Sequence, residues 1–347
     1  MGDVPGPLRI INAAAPIRIC DNGGWTDTWF AGHGKVFNIG VSPFVEVQVA
    51  VHHIDALAHR VVLDAENYGD RYGFEPGALP DRHPLLEAAI DELGVPPDIS
   101  VEISMYSEAP AGCSTGTSAS ATVALIGALD VLTSGRRTAH DIAYTAHRIE
   151  VERLGIQSGI QDQLCAAYGG VNFIDIVNYP EASVRQLPLS NDVRWELDRR
   201  LALVFLGRAH VSSEVHDRVI ADLTDDRFDD LRRAAEDARD AMCAADFPAL
   251  GRAMTNNTQA QGRLHPDLIC KEAETVIEVA RAHGALGWKV NGAGGEGGSI
   301  TLLCGPDMRA RRELLRAVCG ADPSFQVIPM HISRQGLRVW PAPQAGS

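Results

Sequence analysis

Chemistry in this chain is concentrated in three glycine-rich segments and one acidic cluster. The first segment is Ala15-Pro16-Ile17-Arg18-Ile19-Cys20-Asp21-Asn22-Gly23-Gly24-Trp25-Thr26-Asp27-Thr28. It reads as a strand that delivers Arg18, then a Gly-Gly turn that presents Trp25, Thr26 and Asp27. A carboxylate can accept two hydroxyl hydrogen bonds while an aromatic ring covers an apolar sugar face, which makes the segment a candidate polyol site. Standing alone, an Asn-Gly-Gly is more commonly a turn with an Asx cap.

The second segment is Glu108-Ala109-Pro110-Ala111-Gly112-Cys113-Ser114-Thr115-Gly116-Thr117-Ser118-Ala119-Ser120. It follows a strand pattern and opens a helical one. Small residues let a backbone approach a ligand closely, and the N–H groups at a helix start attract anions. The loop is therefore a candidate phosphate cradle, with hydroxyls at 114, 115, 117 and 118 to help. No Gly-Lys-Ser/Thr closes it, so it is not a Walker A loop. Gly112-Cys113-Ser114-Thr115-Gly116 also fits G-x-S-x-G, the nucleophile elbow of hydrolases, which makes a serine hydrolase using Ser114 a rival reading. His210, His216, His265, His283 and His331 follow it and could serve such a triad. Against it, Pro110 sits between the strand and the serine, and the chain lacks a regular alternation of strands and helices.

The third segment is Val290-Asn291-Gly292-Ala293-Gly294-Gly295-Glu296-Gly297-Gly298-Ser299. It matches G-x-G-x-x-G, but a dinucleotide fingerprint opens a helix, and here the apolar run 300–304 reads as a strand. Five glycines in seven residues exceed what a hairpin needs, so close backbone approach to a ligand or another loop is the better expectation. The acidic cluster comprises Glu150, on a helix with His147 and Arg148, and Gln161-Asp162-Gln163, which opens the next element. A single acid here would ordinarily be solvated or capping. Two acids near a phosphate cradle suggest that one holds Mg2+, which prefers one or two carboxylates plus phosphate oxygens, and that the other serves as base.

The elements that must position these groups read as an α+β chain. Strands are expected over 8–11, 45–51, 60–63, 99–105, 171–176, 201–206, 286–290, 299–304, 325–330 and 336–340. Helices are expected over 117–132, 139–153, 161–168, 212–222, 226–244, 267–283 and 306–318. The 347 residues suggest about two domains, divided here into 1–195 and 196–347. Apolar residues make up 45% and charged residues 22%, which excludes wholesale disorder, collagen and coiled coil. With 31 Lys+Arg against 45 Asp+Glu the net charge is −14, and no basic block appears, so a nucleic-acid partner is not expected. No apolar run is long enough for a transmembrane helix, and the start of the sequence has no secretory pattern. Seven cysteines with no CxxC spacing read as reduced thiols of a cytoplasmic protein.

Taken in order, the segments resemble the GHMP kinase superfamily (galacto-, homoserine, mevalonate and phosphomevalonate kinases), over Ala15 to Gly298. The first is similar to the family's A-P-x-R stretch; in galactokinases the sugar-binding Asp lies nine residues after that Arg, as Asp27 does after Arg18. The second resembles the P-x-x-x-G-L-G-S-S-A loop, with Ser114-Thr115-Gly116-Thr117-Ser118 replacing Gly-Leu-Gly-Ser-Ser, and the third resembles the closing G-A-G-G-G-G loop. The resemblance implies a two-domain GHMP kinase fold: an N-terminal ribosomal-S5-domain-2-like part, a ferredoxin-like C-terminal part, and an active site in the cleft between them. It implies ATP and Mg2+, with phosphates on Pro110, Gly112, Cys113, Ser114, Thr115, Gly116, Thr117 and Ser118 and with Gly294 and Gly295 nearby. Ser118 and Glu150 match the metal ligands, Asp162 the base, and Arg18 the partner that orients substrate and stabilises transferring charge. Gly23, Gly24, Trp25, Thr26 and Asp27 match the sugar site.

Gly-Gly-Trp-Thr-Asp-Thr is similar to the fucokinase and heptose-7-phosphate 1-kinase branch, whose members phosphorylate an anomeric hydroxyl. Gly24 replaces the acidic residue of galactokinases, which argues against galactose. The expected function is an ATP-dependent sugar 1-kinase acting on a hexose, 6-deoxyhexose or heptose, bare or already phosphorylated, as a monomer or homodimer. A non-catalytic sugar or nucleotide sensor of the same fold is the alternative. A heptose 7-phosphate would need a cation, for which His33, Lys35 and Arg208 are candidates.

Overall fold

The computed structural model describes residues 6–209 and 226–343. Its backbone is organised by one long hairpin. β1 (Arg9–Asn22) and β2 (Gly34–His53) pair antiparallel, with Ile11 opposite Val49 and Arg18 opposite Gly40. Over residues 45–51 of β2 every second residue is a valine, and Val45, Val47, Val49 and Val51 are buried while Glu46, Gln48 and Ala50 between them are not, the pattern of a sheet with one wet face. From Ala13 onward every residue of β1 is buried, because the inner half of the hairpin is covered on both faces.

An eight-stranded sheet grows around the hairpin. β5 (Ile99–Ser107) pairs with the outer half of β2, and β3 (Val61–Ala65) runs parallel to β5 with β4 (Asp70–Phe74) at the edge. β6 (Val171–Asn178) pairs with the inner half of β2 and carries β7 (Glu181–Gln186). One face packs α1 (Pro84–Leu93), α2 (Thr117–Asp130), α3 (Ala139–Arg148) and α4 (Gln161–Tyr168). α2 is apolar almost all round and is correspondingly buried, as a helix at the centre of a layer must be.

After α5 (Asn191–Arg200) a second, antiparallel sheet forms from β8 (Leu201–Phe205), β9 (Gly287–Val290), β10 (Ser299–Leu303) and β11 (Gln326–Ile328), in the order β11-β8-β10-β9. α8 (Lys271–Ala282) and α9 (Met308–Ala321) cover one face. α6 (Asp226–Cys243) and α7 (Phe247–Leu264) cover the other. That pair also packs on the first hairpin, so Ile17, Ile19 and Phe37 share a core with Ala238, Leu250 and Leu203. The last strand, β12 (Arg338–Pro341), returns to pair with β1, so sheet membership does not follow a single cut of the chain.

Several elements differ from expectation. The helix expected over 139–153 ends at Arg148 and continues as a π turn, Ile149–Arg153, which carries Glu150. The helix expected over 267–283 is a 3-10 turn, Pro266–Leu268, followed by α8. α1, α5 and α7 were not anticipated. The buried face of α7 carries Asn257, Thr258 and Gln261, so its hydrophobic periodicity is broken where it meets the turn after β1, β9 and the third glycine segment. The helix expected over 212–222 lies outside the described residues.

α7 packs backbone to backbone on β9. A Cβ on Gly287 would sit 2.0 Å from the Gly251 carbonyl oxygen, and one on Gly251 would sit 2.3 Å from that of Leu286. Neither obstacle is a flexible side chain. Gly287→Ala is expected to destabilise the protein by about 1–3 kcal/mol in denaturant unfolding, the usual cost of overpacking.

Candidate active site

The two halves enclose a cavity of about 530 Å3. Its floor is the second glycine segment. Gly112, Ser114 and Gly116 take left-handed backbone conformations (φ +69°, +57° and +71°), which turn the chain tightly before α2. No side chain caps the start of α2, leaving its first-turn N–H groups for a ligand. Ser120 is spent, its hydroxyl donating to the Pro16 carbonyl at 2.7 Å. Residues 111–118 line the cavity, whereas Pro110 does not.

Arg18 stands at the centre. It is only 5% exposed, and its Nε and Nη2 donate to the two Asp162 carboxylate oxygens at 2.8 and 3.1 Å. Its Nη1 donates to the Ser114 carbonyl, and its backbone N–H to the Thr115 carbonyl at 2.9 Å. Burial opposes the guanidinium charge, but Asp162 and Asp21 hold Arg18 above its ordinary range. Asp162, in the first turn of α4, keeps a quarter of its side chain exposed to the cavity.

Asp27 lies beside this pair. Its Oδ2 accepts the Gln161 N–H at 3.1 Å, and a Cβ on Gly159 would sit 2.0 Å from the same oxygen, so only glycine allows loop 154–160 to close over it. That loop is anchored from behind: the Tyr179 hydroxyl donates to the Ser158 carbonyl at 3.0 Å and lies 2.7 Å from His147 Nε2. Burial, then the nearby Asp162 charge, pushes Asp27 up to about 7. Burial and Asp162 likewise push Glu150 up to about 7. Gln163 Nε2 donates to Glu150 Oε2 at 2.5 Å, while the buried Gln163 Oε1 has no partner.

These groups fit a bound Mg2+ and phosphate. Glu150 and Ser118 both line the cavity, and an added positive charge would reverse the pressure that keeps Glu150 protonated. Among the described residues no three His, Cys, Asp or Glu side chains converge on one point. The donor set therefore suits a cation that takes most of its ligands from phosphate and water.

The remaining anticipated residues divide. Trp25 borders the cavity, but it is 5% exposed, packs with Phe228, Leu231 and Leu264, and donates from Nε1 to the Ala293 carbonyl at 3.2 Å. Its ring is a core anchor, and not the open platform over a sugar that the turn suggested. Gly23, Gly24 and Thr26 are buried and do not line the cavity. Gly23 donates its N–H to Asn257 Oδ1 at 2.6 Å, and Thr26 hydrogen-bonds the Gly23 and Lys35 carbonyls, so they build the turn that carries Asp27. Gly294 and Gly295 pack on the turn at Leu268; it is Gly292 and Ala293 that reach the cavity. His33, Lys35 and Arg208 do not line it, and Lys35 is paired with Glu236. No described histidine hydrogen-bonds Ser114, which lies mid-loop between the end of β5 at Ser107 and the start of α2 at Thr117; His210 and His216 lie outside the described residues. Sequence reasoning also missed the far end of the cavity, walled by Asn67, Tyr68, Arg82, His83 and Tyr106, since no local pattern links those residues.

Comparison with known proteins places this geometry. The GHMP kinases N terminal domain family matches residues 84–170, and the GHMP kinases C terminal family matches residues 238–321. The chain carries the N- and C-terminal domains of the GHMP kinase family and has that family's two-domain fold. The D-glycero-alpha-D-manno-heptose 7-phosphate kinase of Campylobacter jejuni is 28% identical over 246 residues, covering 70% of this chain and 71% of that protein. A mevalonate kinase of Methanothermobacter thermautotrophicus is 32% identical over 220 residues, covering 60% and 65%. A solved D-glycero-D-manno-heptose 1-phosphate kinase from Bacteroides thetaiotaomicron shares the fold with a TM-score of 0.72, over 95% of this chain and 98% of that one at 20% identity.

The raised Asp27 pKa has a consequence for stability. An unfolded Asp titrates near 4, so the folded state binds the extra proton between roughly pH 4 and 7. This contribution is complete below pH 4 and is lost as pH rises through about 7; Glu150 acts in the same direction. Between pH 5 and 8 the thermal midpoint of ligand-free protein should fall, and it should fall less for Asp27→Asn.

Proposed function

We propose that the protein is an ATP-dependent sugar kinase that transfers phosphate to the anomeric hydroxyl of a hexose, 6-deoxyhexose or heptose, with heptose 7-phosphate among the candidate acceptors. The observation that carries this is the Arg18–Asp162 pair, set between the phosphate-loop backbone and the Asp27 carboxylate. Asp27 would accept two acceptor hydroxyls and fix the sugar. Asp162 would take the proton of the attacking hydroxyl, its orientation locked by both Arg18 hydrogen bonds. Arg18 also places positive charge where the transferring group becomes more anionic, and the floor N–H groups align the phosphates. Ser118 and Glu150 would hold Mg2+, which when bound neutralises phosphate charge. The end walled by Tyr68 and Tyr106 offers aromatic faces suited to the nucleobase.

The sugar assignment draws support from the Campylobacter relative, which is named for a heptose 7-phosphate. We also propose a cytoplasmic reaction in a monomer or homodimer; the described cysteines are free thiols, and no described helix is long and apolar enough to cross a membrane. We further propose a domain division near residue 195, within α5 and just before β8 opens the second sheet.

Incubation with MgATP and a panel of free sugars and sugar phosphates should release ADP with one acceptor class and give an anomeric phosphate by phosphorus NMR. Asp162→Asn should lower kcat by about 10²–10⁴ while ATP binding persists, the range for loss of a general base. Full activity in that variant would remove Asp162 as base. Binding of both ligands by the wild type without transfer would favour a sensor.

A further inference from the structure

One buried cation is unused by the chemistry above. Lys289 lies mid-strand in β9 between Trp288 and Val290 and is 1% exposed. Burial pushes its pKa down, and the Asp21 carboxylate opposes that. Its ammonium lies 3.3 Å from Asp21 Oδ1 and donates to Gln261 Oε1 at 3.1 Å and to the Val290 carbonyl. The other end of the Gln261 amide donates from Nε2 to the Gly292 carbonyl at 3.0 Å. The Gly292 N–H in turn donates to the Asp21 carboxylate, at 3.0 Å from Oδ2 and 3.2 Å from Oδ1. Four groups thus close a hydrogen-bonded ring. Asp21 comes from β1; Lys289, Gln261 and Gly292 come from β9, α7 and the third glycine segment.

The ring fixes Gly292 against the transfer machinery. A Cβ on Gly292 would meet the Cβ and carbonyl oxygen of Ser114 at 3.1 Å and Arg18 Nη2 at 3.4 Å. A Cβ on Gly24 would sit 2.7 Å from Asp21 Oδ2, so this turn leaves room for the Asp21 carboxylate. An isolated buried ammonium is costly, and each of its three donors has a partner here.

We infer that Lys289 is a positioning residue for phosphoryl transfer: through Asp21 and Gln261 it locks Gly292 against Ser114 and Arg18, holding the two halves in register for the reaction. The inference rests on the kinase reading for its effect on rate, while the lock itself can be measured without turnover.

Lys289→Met should lower kcat ten- to hundred-fold, the scale of a misplacement near 1 Å, and should lower the thermal midpoint because Asp21 is left buried and unpaired. The double variant Lys289→Met/Asp21→Leu removes that stranded charge. It should regain most of the thermal midpoint but little of kcat, because Gly292 still lacks its anchor. In both variants amide hydrogen exchange should rise at least ten-fold in peptides covering 112–118 and 291–295. A double variant that regains kcat together with stability, or unchanged exchange in those peptides, would overturn the proposal. If the wild type phosphorylates no acceptor, the kinase reading fails, and the exchange measurement alone decides the lock.

Discussion

The bidentate contact between Arg18 and Asp162 is the constraint on which the site depends. It joins β1 to the first turn of α4 across 144 residues of sequence, and the same guanidinium holds the Ser114 carbonyl of the second glycine segment. Three elements distant in sequence therefore share one planar group. A lysine could not do this, because its point charge lacks the fork that fixes two carboxylate oxygens and still reaches a third acceptor. Burial makes the arrangement demanding: a guanidinium this inaccessible is tolerable only with its charge paired and its donors directed.

The second half of the chain completes the site through polar groups on surfaces that would otherwise be apolar. α7 sends Asn257 to the Gly23 N–H and Gln261 to the Gly292 carbonyl. Asn291 Oδ1 accepts from the Cys20 N–H at 3.2 Å and from the Thr301 hydroxyl at 3.0 Å, and Ser299 donates to the Cys113 carbonyl at 2.6 Å. Such a belt adds modest net stability, because each bond replaces one to water. Its value is directional. An apolar interface between the halves would permit small slides, whereas a satisfied network permits one register.

The cleft is also electrostatically unfinished. Burial, and then the Asp162 charge, presses on both Asp27 and Glu150, with the Arg18 guanidinium paired to Asp162 alone of the three. In the free protein, protonation near neutrality relieves part of this. A bound cation and hydroxyl donors would relieve it differently, by stabilising the ionised carboxylates. Ligands that carry positive charge or hydroxyl protons suit such a set of carboxyls.

Sequence alone determined the chemical parts and their order. Arg18, Asp27, Ser118, Glu150 and Asp162 stand in segments whose spacing announces them, and α4 occupies the expected residues Gln161–Tyr168 because Gly169-Gly170 ends it. Those features are local: glycine conformations, helix starts and apolar periodicity act over a few residues. Tertiary structure decided which parts face the cavity. It buried Trp25, Gly24 and Thr26 as scaffold, turned Gly292 and not Gly294 toward the cavity, and made Lys289 the hub of a ring. It also decided that α7 is a helix despite a polar inner face, since that face meets polar partners from β1 and β9. The physical reason is that burial and hydrogen-bond pairing are set by residues hundreds of positions away. A lone Lys in an apolar strand, or an Asn and a Gln on a helix, gains meaning only when packing supplies its partner.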